Sequence, residues 1–461
     1  MKSVYIISEK IICIASLVLA YSCNSFVEVE LPKSQLTNTA VFEEFETADA
    51  AITDIYSSLR TRGILTGSGS GISNQLGNYA DELISIEKPS NSSLFFYNNT
   101  LLPSNSQIAL YWNTSYSQIY AANSIIEGVR KSSNLSNSQK NQLLAEAVFI
   151  RAILHFYLAN LFGDVPYITV TDYKTNSTVR RTPVSKIYEF IIKDLSDAEP
   201  LLPANYDSSE RVRPNKYSAR AFLARVYLYN RSYSEASDSA SAVINQSGLY
   251  ELNMDLSKVF LIASSETIWQ LQSGNAGTNT LEGSFFIFSS GPPSLVSLSS
   301  DLAESFSNGD MRRLNWIKPV GNSSATWYHA NKYKEKNTTS SSKEYSILFR
   351  LAEMYLIRSE ARAQQGDLIG AKEDLNKIRN RAGLPNSGAI TKAEILNAII
   401  LERKWELFTE FGHRFFDLKR TGRLDTDLGY KIGWDTTDSL FPIPESELNT
   451  NPNLLPQNQG Y

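Results

Sequence analysis

The sequence RLAEMYLIRSEA, residues 350–361, lies near the start of the most strongly patterned part of this 461-residue chain. That part runs from Tyr345 to Arg423. Small and apolar side chains recur there at helical spacing, Gly366 ends the first helix, and Asp367 is placed to cap the second. The predicted stripes are Leu348, Leu351, Ala352, Tyr355, Leu356 and Ser359, then Ala371, Leu375 and Ile378.

A third helix follows directly in the same stretch. Thr391 and Glu394 have the T-x-x-E spacing of a capping box. Burying apolar surface is worth roughly 25 cal/mol per Å², so three apolar faces in succession require a large partner surface. We therefore expect this stretch to be the hub of a helical core. The third face holds Ile395, Leu396, Ile399, Ile400, Leu407, Phe408 and Phe411.

Blocks of this sequence, in a fixed order, resemble the SusD/RagB family. They are RLAEMYLIRSEA at 350–361, DLNKIRNRAGL at 374–384, ERKWEL at 402–407, HRFFDLKR at 413–420, LFPIP at 440–444 and NPNL at 451–454. The resemblance implies a lipid-anchored, surface-exposed outer-membrane protein of Bacteroidetes. Such proteins bind nutrient oligomers, usually glycans, and work with a SusC-like TonB-dependent transporter.

Helical patterns also fill much of the chain before this stretch. They predict helices at 47–62 and 183–198 and two helices within 107–163. A predicted hairpin at 217–247 can be laid on the one at 352–378, with the period of ~34 residues typical of tetratricopeptide repeats. The predicted fold is mainly α, a tetratricopeptide-like scaffold of the SusD type with a loop-rich, irregular ligand-binding subregion. A short buried strand is expected at 266–271.

Composition excludes several classes of protein. The net charge is −4 and the chain has no Lys/Arg run, so nucleic acid is not an expected partner. Cys13 and Cys23 are the two cysteines, and both lie in the first segment, which leaves the body without a disulfide framework. His155, His329 and His413 lack metal-ligand spacing. We predict no metal site and no cofactor.

The first residues read as an export signal of the lipoprotein type. Residues 11–20 form an apolar run that is too short to span a bilayer. Cys23 follows this run behind Ser22 and resembles a bacterial lipobox, although Ala20 stands where leucine is usual. We predict a signal peptide at 1–22 and lipidation at Cys23, because a multiply acylated cysteine is a stable anchor.

The rest of the chain divides by composition. We expect a tether and N-terminal arm at 23–45 and a SusD-like body at 46–461. Within the body, 46–248 is helical with a loop insertion at 63–106, 249–345 is a variable loop region, and 346–461 is the C-terminal core.

Ligand binding is expected in the two loop regions. An aromatic plane covers the C–H face of a sugar, while amides and charged groups satisfy its hydroxyl rim. Loop aromatics with polar neighbours are therefore the candidate ligand-binding residues, whereas Trp112 and Trp405 lie on helical stripes and are expected in the core. The candidates are Asn74, Tyr79, Asp81, Phe96, Tyr97, Phe286, Trp316, Trp327 and Tyr328.

No catalytic constellation stands out in the sequence. Acids such as Glu353 and Glu402 lie on predicted helices beside arginines, a spacing typical of ion pairs. Arg414, Asp417 and Arg420 are expected to tie the last helices together. The leading hypothesis is a non-catalytic protein that captures oligo- or polysaccharide and delivers it to the transporter. The alternatives are a peptide-binding RagB-like member and a surface enzyme that cleaves glycans.

Overall fold

A computed structural model describes residues 41–88 and 90–461. The predicted signal at 1–22, Cys23 and most of the predicted arm lie outside the described residues. Helices α1–α18 are, in order, Phe45–Thr61, Ile72–Tyr79, Leu94–Tyr97, Ser106–Lys131, Asn137–Phe162, Tyr173–Asn176, Val184–Ala198, Lys216–Tyr229, Tyr233–Ile244, Leu281–Phe286, Ser300–Glu304, Met311–Trp316, Leu351–Gln365, Leu368–Arg381, Lys392–Leu407, His413–Arg420, Leu424–Leu428 and Glu445–Thr450. Strands β1–β6 are Leu83–Ser85, Thr267–Leu271, Val296–Leu298, Ile317–Gly321, Thr326–Ala330 and Ser346–Arg350.

The helix ends follow the capping signals in the sequence. The Asp367 side chain accepts a hydrogen bond from the Gly370 N–H at 2.9 Å, and α14 begins there. Thr391 and Glu394 form the reciprocal capping box of α15. Gly366 ends α13 with φ of 94°, a left-handed conformation that favours glycine. The mainly helical fold class is confirmed.

Neighbouring helices pack as antiparallel pairs. Helix α9 lies between α8 and α13, and α13 packs in turn on α14. Ala240 and Ser359 are fully buried at these contacts, and the Ser359 hydroxyl donates to the Ala371 carbonyl at 2.7 Å. Small side chains allow the helices to approach closely, which is consistent with tetratricopeptide-like packing.

Helix α5 is long and apolar enough to cross a membrane by composition alone, but most of its residues are buried inside the protein. It packs against α4 and α7. Its apolar surface is therefore explained by its burial in the core that it shares with these helices. Phe149 and Phe156 from this helix lie in an aromatic cluster with Phe222 of α8, at ring separations of 6.2 and 5.3 Å.

The region at 249–345 contains more regular structure than its composition indicates. Strands β2 and β6 form a buried antiparallel pair, which confirms the predicted strand at 266–271. The other four strands form a sheet in the order β1-β3-β5-β4. Its apolar face packs on a second core that includes Trp316, Trp405 and Phe408.

The predicted loop insertion at 63–106 also contains regular structure, because α2, β1 and α3 lie inside it. Its glycines let the chain approach other elements closely. A Cβ at Gly67 would lie 1.9 Å from Glu282 Oε2, and one at Gly69 would lie 2.5 Å from the Phe285 ring. Residues 63–67 are buried, with Gly63 against α4 and Gly67 against α10, so this part of the segment is not a surface loop.

Candidate ligand-binding surface

One loop of the sheet region contacts two other segments, and we call the three segments together the loop face. They are residues 86–88 with 90–93, residues 287–295, and the β4–β5 hairpin. The Ile86 N–H donates to the Leu295 carbonyl at 2.7 Å. The Asn91 side-chain amide donates to the carbonyls of Ile86 and Leu295 at 2.9 and 3.0 Å. These bonds hold the first two segments side by side.

Trp327 is the aromatic side chain at the centre of the loop face. It is half-buried on β5, and the chain at Gly291 lies directly on its indole ring. A Cβ at position 291 would lie 2.1 Å from Trp327 Cε3, so only glycine permits this approach. His329 shares a face of the strand with Trp327, since side chains alternate, and its ring lies 5.2 Å from that of Phe288.

Tyr328 points to the opposite face of the same strand. The Arg313 guanidinium lies 5.0 Å from the centre of its ring, and the ring packs against the second core. Trp327 and Tyr328 were both predicted as ligand-binding residues, and both keep some exposed surface. The structure does not bring them together, because neighbouring strand residues face opposite sides of a sheet.

Two other predicted aromatics of this region belong to the core. Trp316 has no exposed surface, and its indole N–H donates to the Leu256 carbonyl at 3.0 Å. Phe286 is 5% exposed and also packs in the second core. A ring with so little exposed surface cannot stack on a sugar, so the prediction of ligand binding is wrong for both residues.

The same correction applies to three candidates from the earlier loop region. Tyr79 and Phe96 are fully buried and contact each other edge to face, with ring centres 6.2 Å apart. Asn74 is also fully buried, and its amide donates to the Gly69 carbonyl and the Ser93 hydroxyl at 2.7 and 2.8 Å. These residues hold the glycine-rich segment in place.

Asp81 is committed to ion pairs. Its carboxylate accepts hydrogen bonds from Arg414 Nε and Lys404 Nζ at 2.8 and 2.9 Å. Burial opposes ionisation, but the two cations outweigh it and hold the pKa of Asp81 well below its usual range. Tyr97 is half-buried, and the Lys431 ammonium lies 5.5 Å from its ring centre. Asp81 therefore has a structural role, while Tyr97 retains surface for a ligand.

The helix-borne acids form ion pairs, as expected, but their partners come from other elements. Glu353 pairs with Arg225 at 2.7 Å, and Glu360 pairs with Arg420 of α16. Asp417 pairs with Arg403 of α15 at 2.7 Å, and Arg414 pairs with Asp427 of α17 at 3.0 Å, so this block ties the last helices together as expected.

A larger group of charges, the buried charge cluster, lies beneath Trp316. Arg350 contacts Glu406 and Glu410 at 2.5 and 2.8 Å. The guanidinium of Arg350 lies 5.9 Å from the Trp316 ring centre. The cluster joins β6, α12, α14 and α15 without an opening for substrate. Its members are Glu266, Asp310, Arg312, Lys332, Arg350, Arg381, Glu402, Glu406 and Glu410.

His155 is a packed structural residue, as predicted. It is fully buried, its ring stacks on Tyr167 with centres 4.0 Å apart, and Nε2 accepts a hydrogen bond from the Ile168 N–H. Burial lowers the pKa of His155 to about 3. Trp112 and Trp405 are buried too, at 3% and 5% exposure.

Glu82 is a perturbed acid that sequence reasoning missed. It is 1% exposed, and burial, reinforced by the negative charge of Asp81, raises its pKa to about 8. The Thr409 N–H donates to its Oε2 at 3.3 Å. A raised pKa suits a general acid, but a catalytic carboxyl also needs contact with substrate, and this one is enclosed. Within residues 41–88 and 90–461, no group of three His, Cys, Asp or Glu side chains is arranged to hold a metal ion.

The sequence of this chain matches two models of known protein families. A family model described as "Starch-binding associating with outer membrane" matches residues 27–228, and one described as "SusD family" matches residues 261–461. The chain belongs to the SusD/RagB family. The family resemblance in the sequence is thus confirmed. This family binds carbohydrate and associates with the outer membrane.

Individual relatives cover most of this SusD-family chain. SusD-like protein P2 of Formosa agariphila is 28% identical in an alignment that covers 79% of this chain and 83% of that protein. Starch-binding protein SusD of Bacteroides thetaiotaomicron is 24% identical in an alignment that covers 69% of this chain and 72% of that protein. A solved structure titled "Laminarin binding SusD-like protein" is 24% identical, has a TM-score of 0.77, and aligns over 91% of this chain and all of that one.

Proposed function

We propose that this protein is a cell-surface glycan-binding lipoprotein that captures oligo- or polysaccharide and passes it to a SusC-like TonB-dependent transporter. The observation that carries the proposal is the partly exposed Trp327 on the loop face of a SusD-family fold. An indole held in place by neighbouring backbone gives a rigid apolar plane, and such planes suit the C–H face of a sugar ring.

The polar surroundings of Trp327 support a sugar ligand. Ser289 and Ser290 are exposed beside Gly291, and Lys318 is exposed on the neighbouring strand. Hydroxyl and ammonium groups there can bond the rim of a sugar whose face lies on the indole. In this proposal the ligand is bound without being cleaved, since Asp81 is held in ion pairs and Glu82 is enclosed.

Affinity electrophoresis in gels containing starch, laminarin or other polysaccharides tests the binding step. We expect at least one glycan to retard the protein, and we expect Trp327→Ala to weaken that binding about five- to tenfold, since one aromatic contact is worth on the order of 1 kcal/mol. Phe190→Ala is the matched control, because the Phe190 ring is 41% exposed on α7, outside the loop face.

Two results would contradict the binding proposal. One is unchanged glycan affinity in Trp327→Ala, and the other is release of new reducing ends from the retarding polysaccharide, which would indicate an enzyme. Binding of the protein to a peptide array, but to none of the glycans, would favour the peptide-binding alternative.

The anchor and the transporter are tested separately. The proposed signal at 1–22, acylated Cys23 and tether at 23–45 would place the body at 46–461 on the outer membrane. We expect Cys23→Ala to abolish incorporation of labelled palmitate and release the protein from membranes, with glycan affinity unchanged. The unaltered protein should copurify with an outer-membrane barrel protein, and failure to do so would remove the delivery step.

A further inference from the structure

A cavity lined by helices and their connecting segments lies outside the loop face. It has a volume of about 370 Å³ and opens between α4, the segment around α6, and α18. This is within the size range of small-ligand sites. We call it the tyrosine pocket, and define it by Trp112, Tyr116, Tyr120, Tyr173, Glu447 and Leu454.

The rings of the tyrosine pocket differ in exposure. Trp112 and Leu454 form a buried floor, at 3% exposure each. Tyr116 is held by its hydroxyl, which donates to the Pro166 carbonyl at 2.9 Å. Tyr120 and Tyr173 stand at the mouth and are 50% and 80% exposed. Exposed tyrosines flanking a fixed aromatic floor leave ring surface open to a ligand.

Three of the polar side chains that line this pocket already donate hydrogen bonds inside the protein. Asn176 and Asn451 donate to the carbonyls of Val170 and Val179, at 2.9 and 2.8 Å. The Thr171 hydroxyl donates to Glu127 at 2.7 Å. A sugar presents many hydroxyls that each need a partner, so this lining suits a polyhydroxylated ligand poorly.

Glu447 supplies the charge of the pocket. It is the charged member of the lining residues and lies beside Trp112. Its charge also reaches the Tyr116 hydroxyl. A half-buried carboxylate beside several aromatic rings attracts a cation twice, through its own charge and through the negative faces of the rings.

We propose that the tyrosine pocket binds an organic cation, an ammonium or guanidinium group on an aliphatic stem, with Glu447 as its counter-ion and the tyrosine rings around it. This site is separate from the loop face and does not depend on the proposed glycan function. The cation can belong to a free amine or to a basic side chain of a peptide, and both present the same chemistry to the pocket.

The test compares a cation with its uncharged isostere. Choline and 3,3-dimethylbutan-1-ol have nearly the same shape, and titration calorimetry or ligand-observed NMR measures their binding to the full chain. We expect choline to bind at least tenfold more tightly. N-acetyl-lysine methylamide, compared with free cadaverine, distinguishes a peptide source from a free amine.

Variants locate the site. We expect Glu447→Gln to weaken choline binding about tenfold and Tyr173→Ala to weaken it several-fold, while Tyr173→Phe keeps the ring and the affinity. Glu445→Gln is the matched control, because Glu445 is exposed on the same helix outside the pocket. Thermal unfolding confirms that each variant is folded, and glycan retardation at the loop face should be unchanged in all of them.

Three outcomes would overturn the proposal. They are equal binding of choline and its isostere, equal effects of Glu447→Gln and Glu445→Gln, and a loss of glycan binding in Glu447→Gln. The last result would make the pocket a sugar site, and it would leave the Trp327 experiment as an independent measure of the loop face.

Discussion

Trp316 and Trp327 lie eleven positions apart in the sequence, in equally polar surroundings, yet the structure gives them opposite environments. Trp316 ends α12 and is enclosed by the buried charge cluster and Phe260, whose ring lies 5.6 Å away. Trp327 lies on β5, where the chain at Gly291 packs on its indole ring and part of the ring stays exposed. Polar neighbours in sequence therefore did not indicate exposure, because the charges beside Trp316 are themselves buried.

The largest expected effect is on stability, and it separates the two tryptophans directly. Trp316→Ala should lower the free energy of unfolding by about 3–5 kcal/mol, because it leaves a cavity and an unpaired Leu256 carbonyl in the core. Trp327→Ala should cost less than about 1.5 kcal/mol, since its ring is partly solvated. Urea unfolding measures both, and similar losses for the two variants would break the comparison.

The next prediction concerns Glu82, the buried acid directly before β1. Burial, together with the Asp81 charge, raises its pKa from 4.5 to about 8. Between these values the unfolded chain ionises this carboxyl and the folded chain keeps it neutral. Its contribution to stability is therefore complete below about pH 4.5 and is lost as the pH rises towards 8.

Glu82→Gln should remove that pH dependence. We expect the variant to gain stability relative to the natural protein between pH 5 and pH 8, on the order of 2–4 kcal/mol. Glu87→Gln on the exposed loop face is the control and should leave the profile unchanged. Parallel stability profiles for Glu82→Gln and the natural protein would show that Glu82 ionises normally in the fold.

The smallest effect tests how the loop positions Trp327. Gly291→Ala places a methyl group against the indole, so the ring must move, at a cost of about 1–2 kcal/mol in stability. Glycan affinity should fall several-fold in affinity electrophoresis. Gly248→Ala is the control, because a Cβ at that position meets no atom within 4 Å. Unchanged affinity in Gly291→Ala would separate the loop from ligand binding.

The helical frame followed from local signals. The capping residues Asp367 and Thr391 lie where the helices begin, and His155 and Trp405 are buried as their helical spacing predicted. Such signals depend on residues within one or two turns of each other, so the sequence contains them completely. Ion pairing of the helix acids was also predictable as a class of interaction.

The partners in those ion pairs were not predictable from local spacing. Asp81 meets Arg414 across 333 positions of sequence, and Arg225 meets Glu353 across 128. The tyrosine pocket likewise joins Trp112 to Glu447. Each of these contacts depends on how distant elements pack, and helical periodicity does not specify that packing.

The sequence by itself determined that this protein is mainly helical, because periodicity and caps are properties of short segments, and the order of its motifs carried the resemblance to the SusD/RagB family. Only the tertiary structure decided which aromatic rings face solvent. Tyr79, Phe96, Phe286 and Trp316 became core, and Trp327 remained open, because exposure depends on what the rest of the chain places against a ring.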